Sequence, residues 1–372
     1  MDDKTFFKHW LSEIEGIGWV KVNALLERFK TPENIYNASK AELEETYGIG
    51  KYYADLLLKS KDFDDRIPKW ESWKEKGTEY VFADEKEYPR SLTFQSDMPY
   101  RLFYKGKLPD IKLPAISVVG ARGCTSYGKA VSLKISETFA KEGWQIISGM
   151  AAGIDAFAHE GALKAKGYTC AVLGCGIDVC YPVTNLEIYE SIQRSGCLLS
   201  EFEPGQRPKR EFFPFRNRLI AALSDAVIVV EARKRSGSLI TADIALEQGK
   251  EVYVVPGRIT DPLSMGCIGL LNEGANALTD LNDLRKCHSV KGKISNINAD
   301  GIGKHGARED ENLLDTNYLL LYSCLDLSPK SLEYLINKTS IPGDETFLLI
   351  TRLKLEGKIE EVAHNMFVRT NI

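Results

Sequence analysis

Between residues 116 and 278 the chain alternates short apolar, β-branched runs with helix-patterned segments: Ile116 to Val119, Gln145 to Ser148, Thr169 to Leu173, Cys197 to Phe202, Ala226 to Glu231 and Glu251 to Val255. Runs that are apolar almost throughout, rather than at alternate positions, belong inside a sheet covered on both faces. Helical spacers of this length make parallel crossovers. The pattern predicts an α/β fold with a doubly wound, mostly parallel sheet. Open sheets of this kind bind ligands at the loops following the carboxyl ends of their strands, so the chemistry of those loops matters most.

Two of these loops are strongly basic. Before the run at Ala226, residues Arg207, Lys209, Arg210, Arg216 and Arg218 surround one acid, Glu211; after it come Arg233, Lys234 and Arg235. The whole chain has a formal net charge of −4, which argues against a general polycation and in favour of a local patch. The expected ligand is a multiply charged anion.

The 372 residues suffice for two or three domains, and a 44% hydrophobic content is that of a globular protein. No apolar run approaches the ~20 residues of a membrane-spanning helix, and MDDKTFFKHW has neither the basic end nor the apolar core of a signal peptide. The eight cysteines include no C-x-x-C pair and the five histidines are scattered. A cytoplasmic, reduced protein without zinc or membrane contact is expected.

Residues 1–62 are helix-patterned and carry an internal repeat: Glu15-Gly16-Ile17-Gly18 before VKVNALLERF is matched by Tyr47-Gly48-Ile49-Gly50 before KYYADLLLKS. An apolar residue between two glycines at a helix start resembles a helix-hairpin-helix turn, whose free amides can hold a DNA phosphate; it also serves as a plain connection or protein contact. Residues 63–112, with Trp70 and Trp73, are expected to pack as a lead-in on the core at 113–284. A polar linker follows at 285–310. Residues 311–372 read as helix, helix, helix and hairpin, a winged-helix pattern.

Several loops of the core suit phosphate. The turn Gly120-Ala121-Arg122-Gly123-Cys124-Thr125-Ser126 offers amides and a bidentate guanidinium at a helix start, or else Arg122 pairs with Asp155 or Glu201. Its spacing departs from G-x-G-x-x-G and the second strand ends in Ser148-Gly149 rather than an acid, so NAD is not expected. Asp155 and His159, four apart on one helix, fit either an acid/base pair or a helix cap beside a buried histidine. Tyr181 could stack on a base or pack in the core. Arg235-Ser236-Gly237-Ser238 opens the helix ADIALEQGK, giving either an anion site or a simple cap. Lys209, Arg210 and Phe213 complete the candidate contacts. These loops should converge at one sheet edge.

The successive strings SVVGARGCTSYG, IISGMAAGIDAFAHEGAL, AVLGCGIDVCYP, LLSEFEPG, FPFRNRLIAALSDAVIVVEA, RSGSLITADIALEQGKEVYVVPG and GCIGLLNEGANAL closely resemble the motifs of the DNA-processing protein A (DprA/Smf) family, in order, over about 160 residues. The resemblance implies an extended Rossmann-like core that binds and protects single-stranded DNA, forms a homodimer and helps load RecA recombinase during natural transformation. Neither a metal cluster nor a nucleophile with a positioned base is visible in the sequence, so no turnover and no cofactor are expected. The resemblance also implies the flanks read above, a small all-helical N-terminal domain and a C-terminal winged-helix-like domain. Matched position by position, the family's DNA-contacting arginine falls on Arg122, its basic position before F-P-x-R-N-R on Arg210, and the R-N-R on Arg216, Asn217 and Arg218. After Tyr181-Pro182 many members carry a basic residue; this chain has Val183-Thr184-Asn185.

Two other classes remain. Phosphoribohydrolases of the lysine-decarboxylase-like group share such a core, and the Ser-Gly-Ser loop followed by Glu247 is faintly similar, but their P-G-G-x-G-T string is missing. A winged-helix transcription regulator needs a basic recognition helix, whereas the C-terminal region mixes Glu with Lys throughout.

Overall fold

The computed structural model describes residues 3–62, 64–95, 97–287, 290, 293, 316–339, 341–363 and 365–370. Most of the expected linker lies outside them, although Arg285 and Lys286 belong to a short helix, Asn282–Lys286. None of the described helices is long and apolar enough to cross a membrane.

The chain opens with six helices: α1 (Asp3–Ser12), α2 (Trp19–Phe29), α3 (Pro32–Asn37), α4 (Lys40–Glu44), α5 (Gly50–Lys59) and α6 (Ile67–Glu75). Strands β1 (Glu79–Phe82), β2 (Arg101–Gly106) and β3 (Ala115–Val119) follow. Then come α7 (Ser126–Lys141), β4 (Gln145–Ser148), α8 (Ile154–Lys164), β5 (Thr169–Val172), α9 (Leu186–Ser195) and β6 (Cys197–Ser200). The core ends with α10 (Phe212–Leu223), β7 (Ala226–Val229), α11 (Gly237–Glu247), β8 (Glu251–Val254), α12 (Met265–Asn272), β9 (Asn276–Ala277) and α13 (Asn282–Lys286). All six expected strands are present, within one or two residues of their expected ends.

Nine strands form one sheet in the order β1-β2-β6-β5-β4-β3-β7-β8-β9. From β6 to β9 every pairing is parallel, while β1 and β2 join antiparallel at the β6 edge. Alternate residues of β7 and the position after it enter two different cores: Val227 and Val229 pack with the N-terminal helices and α10, while Ala226, Ile228 and Val230 pack with Phe139, Trp144 and Ile154. Both faces are covered, as continuous apolar runs require. The order reverses direction at β3, which pairs with β4 on one side and β7 on the other. The loops after β3 and β7 therefore open side by side at the switch point.

Residues 63–112 do more than pack on this sheet: they extend it by two strands. Arg101 hides β2 from sequence reading, because it is 7% exposed yet charged. Its Nη1 lies 2.8 Å from His9 Nδ1 and donates to Glu13 Oε1 at 3.2 Å, and its Nη2 donates to Glu203 Oε1 at 3.2 Å. Lys69 closes the cluster on Glu203 at 2.7 Å. Burial holds His9 neutral, its pKa pushed down to about 2.

The internal repeat is realised only in part. Gly16 (φ 82°) and Gly48 (φ 78°) both take the left-handed conformation that glycine permits. The next glycines differ, Gly18 being extended (φ −82°, ψ 176°) and Gly50 having φ 52°. Near the C-terminus, helices Thr316–Ser323, Leu332–Thr339 and Gly343–Leu355 accompany a three-stranded antiparallel sheet containing the hairpin Ile359–Ala363 and Met366–Arg369. Tyr318, Leu321, Leu335, Leu353 and Phe367 form a core of their own there.

Candidate nucleic-acid interface

At the switch point lies a cavity of about 1360 Å³. The loop after β3 contributes Arg122, the loop after β5 Tyr181, the segment entering α10 Lys209, Arg210 and Phe213, and the loop after β7 Lys234, Arg235, Ser236 and Gly237. Arg122, Lys209, Arg210, Lys234 and Arg235 are exposed, and none has an ion pair among the described residues. Glu211, Asp243 and Glu273 are the acids on the same wall, so the cations outnumber them. Low-dielectric walls around such a cluster focus its potential on an incoming anion.

Aromatic rings set the geometry of this patch. The Arg122 guanidinium lies 5.3 Å from the centre of the Phe213 ring, and the Tyr181 and Phe213 rings are 5.8 Å apart at 39°. Tyr181 is 41% exposed, so of its two readings the structure favours a ring available for stacking over a core residue. The pairing of Arg122 with Asp155 or Glu201 does not occur. The Asp155 carboxylate accepts from the amides of Gly149 (3.2 Å) and Ala151 (3.4 Å), and Glu201 accepts from Arg218 Nη2 at 2.6 Å.

Contiguous with the cavity is a smaller pocket of about 240 Å³ that includes Gly120, Arg216, Asn217 and Ser238. Ser236 caps α11 by accepting from Ser238 N, and its Oγ lies 2.8 Å from Ser238 Oγ. Asn217 Nδ2 donates to the Gly237 carbonyl at 3.2 Å and so fixes this loop on α10.

Three sequence expectations need correction. Arg218, carried over as a DNA contact, is 8% exposed and ion-paired with Glu201 (2.6 Å) and Asp97 (3.4 Å), so it ties α10 to neighbouring loops. Arg216 and Asn217 are buried too, but they line the smaller pocket rather than the cavity. α10 is buried from Arg216 through Leu223, and a helix enclosed on all sides takes its polar residues inside with it. Gly123 and Ser126 line neither cavity. The start of α7 is already filled by an internal anion, since Glu231 accepts from Thr125 N at 2.8 Å and from Thr125 Oγ1 at 2.5 Å.

Of the two readings of Asp155 and His159, the structural one holds. His159 Nε2 accepts from Met150 N at 3.4 Å, which puts the proton on Nδ1; that nitrogen donates to Thr169 Oγ1 at 2.7 Å, and Thr169 donates to the Ile146 carbonyl at 2.8 Å. Burial pushes the His159 pKa down to about 3 and also raises that of Asp155. Both imidazole nitrogens are committed, leaving none for a substrate. What sequence reading missed is the far wall of the cavity, Met265, Gly266, Gly269 and Leu270 of α12. The glycine spacing in GCIGLLN is its signal: a Cβ at Gly266 would meet the Ala232 and Arg233 carbonyls at 2.7 Å.

Residues 79–289 match the family model described as DNA recombination-mediator protein A. The chain belongs to this family. The Smf protein of Synechocystis sp. is 36% identical over 282 residues, covering 74% of this chain and 71% of that one. The X-ray structure of DNA processing protein A from Streptococcus pneumoniae superimposes with a TM-score of 0.64 at 33% identity, covering 77% of this chain and 98% of that chain. A structure of DNA processing protein A from Helicobacter pylori, described for its single-stranded DNA binding mode, has a TM-score of 0.50 at 30% identity, covering 60% of this chain and 97% of that one. The family match spans β1 to α13, and so takes in every loop of the cavity.

Proposed function

We propose that this chain binds single-stranded DNA in the switch-point cavity, with little base preference. One observation carries the reading: exposed cations from three separate loops surround two rings at a single sheet edge. Backbone phosphates meet Arg122, Lys209, Arg210, Lys234 and Arg235, the bases stack against Tyr181 and Phe213, and the Ser236-Gly237-Ser238 loop supplies hydroxyls and amides. The relative from Helicobacter pylori, described for binding single-stranded DNA, supports it.

By family, the protein acts without turnover as a cytosolic homodimer that protects incoming strands and helps load RecA recombinase during natural transformation. The helical N-terminal region and the winged-helix-like C-terminal module are read as accessory domains of that task. Two linked pockets on one strand gain effective concentration, so affinity should rise sharply once a strand reaches both, by a factor on the order of 100. Gel-shift titration of single against double strands tests the core of the proposal, and equal affinity for both would refute it. Sedimentation at micromolar concentration, with affinities across a ladder of strand lengths, tests the dimer. RecA filament assembly on coated strands tests the loading step.

A further inference from the structure

The smaller pocket behind the cavity poses a separate chemical problem, because a buried guanidinium faces it without a proper partner. Arg216 is 4% exposed. Of its five N–H donors, one of the two on Nη1 reaches the Val172 carbonyl at 3.0 Å, while Nε has no hydrogen-bond partner. The nearest counter-charge, Asp155, makes no ion pair with it among the described residues and is held instead by the Gly149 and Ala151 amides. Glycine at 149 makes the placement possible, since a Cβ there would fall 1.4 Å from Arg216 Nη1. A buried charge left so incompletely satisfied is costly unless an anion completes it.

The opposite wall fits that anion. Ser236, Gly237 and Ser238 present the start of α11, and Arg122 stands where the pocket meets the cavity. At about 240 Å³ the pocket is below the ~300–1,000 Å³ of sites that take whole small molecules. Val119, Ile220 and Thr241, all buried, line it as well. A diester phosphate carries one charge and keeps two of its oxygens in the chain, so it can turn only two free oxygens toward Arg216. A monoester carries about −1.5 to −2 at neutral pH and presents three free oxygens.

We propose that the pocket formed by Arg216, Arg122 and the Ser236-Gly237-Ser238 loop is a phosphomonoester site, which seats the terminal phosphate of a DNA strand or free phosphate. The strand-end source rests on the single-strand reading above; the pocket chemistry does not. Such a site would anchor one end of a strand while the cavity holds the rest without regard to sequence.

The test uses the full chain and short oligothymidylates ending in 5′-phosphate, 3′-phosphate or hydroxyl, with melting temperature measured in inorganic phosphate as a second readout. One phosphorylated end should bind about tenfold more tightly than the hydroxyl end, a gain exceeding that from one added nucleotide. Arg216→Met, which removes the guanidinium, and Gly149→Ala, which displaces it, should both abolish the gain. If inorganic phosphate raises the melting temperature but all ends bind alike, the occupant is free phosphate. Equal affinity for all three ends, with no phosphate-induced shift in the unmutated protein, overturns the proposal without reliance on any variant. Hydroxyl-ended strands that still bind would then leave the cavity reading intact, whereas a phosphate shift with no strand binding would remove that reading and keep the pocket.

Discussion

Glu231, just after β7, lays its carboxylate on the backbone amide of Thr125 at 2.8 Å and thereby occupies the start of α7. This internal anion holds the Arg122 turn against the neighbouring strand, where the Ala121 amide also donates to the Glu231 carbonyl at 2.7 Å. Glu231→Gln keeps the shape and one acceptor for the Thr125 N–H but removes the charge that both Thr125 donors face. Losing the charge-assisted character of these bonds should cost about 1–2 kcal/mol, measured as a lower urea midpoint. An unchanged midpoint would mean that the carboxylate contributes nothing there.

Arg218 and Arg122 stand in contrasting surroundings, and their variants should fail in different assays. Removing Arg218 leaves Glu201 buried without its partner, so Arg218→Met should destabilise the fold by about 3 kcal/mol or more. Equilibrium denaturation reads this directly. Stability within roughly 0.5 kcal/mol of the parent, the range of an ordinary surface change, would contradict the buried pair.

Arg122→Ala and Arg210→Ala remove exposed side chains that make no ion pair among the described residues. Each should leave the denaturation curve unchanged and weaken single-strand binding. The log-log salt slope should fall by about 0.7 for each phosphate no longer neutralised. Undiminished affinity in both variants would move the DNA path off these loops.

The strands, their parallel order and the basic loops were legible because hydrophobic period and charge clustering are local signals. The roles within R-N-R were not. Arg216 and Arg218 look like surface cations beside Arg210, and only the packing of α10 shows that they and Asn217 are enclosed. β2 was hidden for a related reason, since Arg101 is buried through partners as distant in sequence as His9 and Glu203. Charge on a sequence reports solvent exposure only until tertiary partners supply the counter-charge.

Acid should loosen the core through His159. Its folded pKa is depressed to about 3 against about 6.5 in an unfolded chain, so between those values the unfolded state binds the extra proton. Stability is therefore full above about pH 6.5 and falls as pH drops toward 3, by about 2 kcal/mol at pH 5 from this residue. Buried, neutral His9 acts in the same direction. Denaturation at pH 7 and pH 5 should show the loss, and His159→Gln should show less of it. The same pH dependence in parent and variant would remove His159 as its source.

Val183 stands where the family resemblance leads one to expect a cation, and it is 72% exposed on the short turn following Tyr181. Its neighbour Asn185 is anchored, donating to the Met150 carbonyl at 2.9 Å, so the turn is fixed and a new side chain would project from a defined place. If the strand leaves the cavity past Tyr181, Val183→Lys adds one phosphate contact. Affinity for single strands should then rise, and the salt slope should steepen by about 0.7. The substitution touches no core residue and should leave the melting temperature unchanged. If affinity and slope both stay at parental values in a folded variant, the strand does not pass Tyr181 and must run along the Arg235 side of the cavity instead.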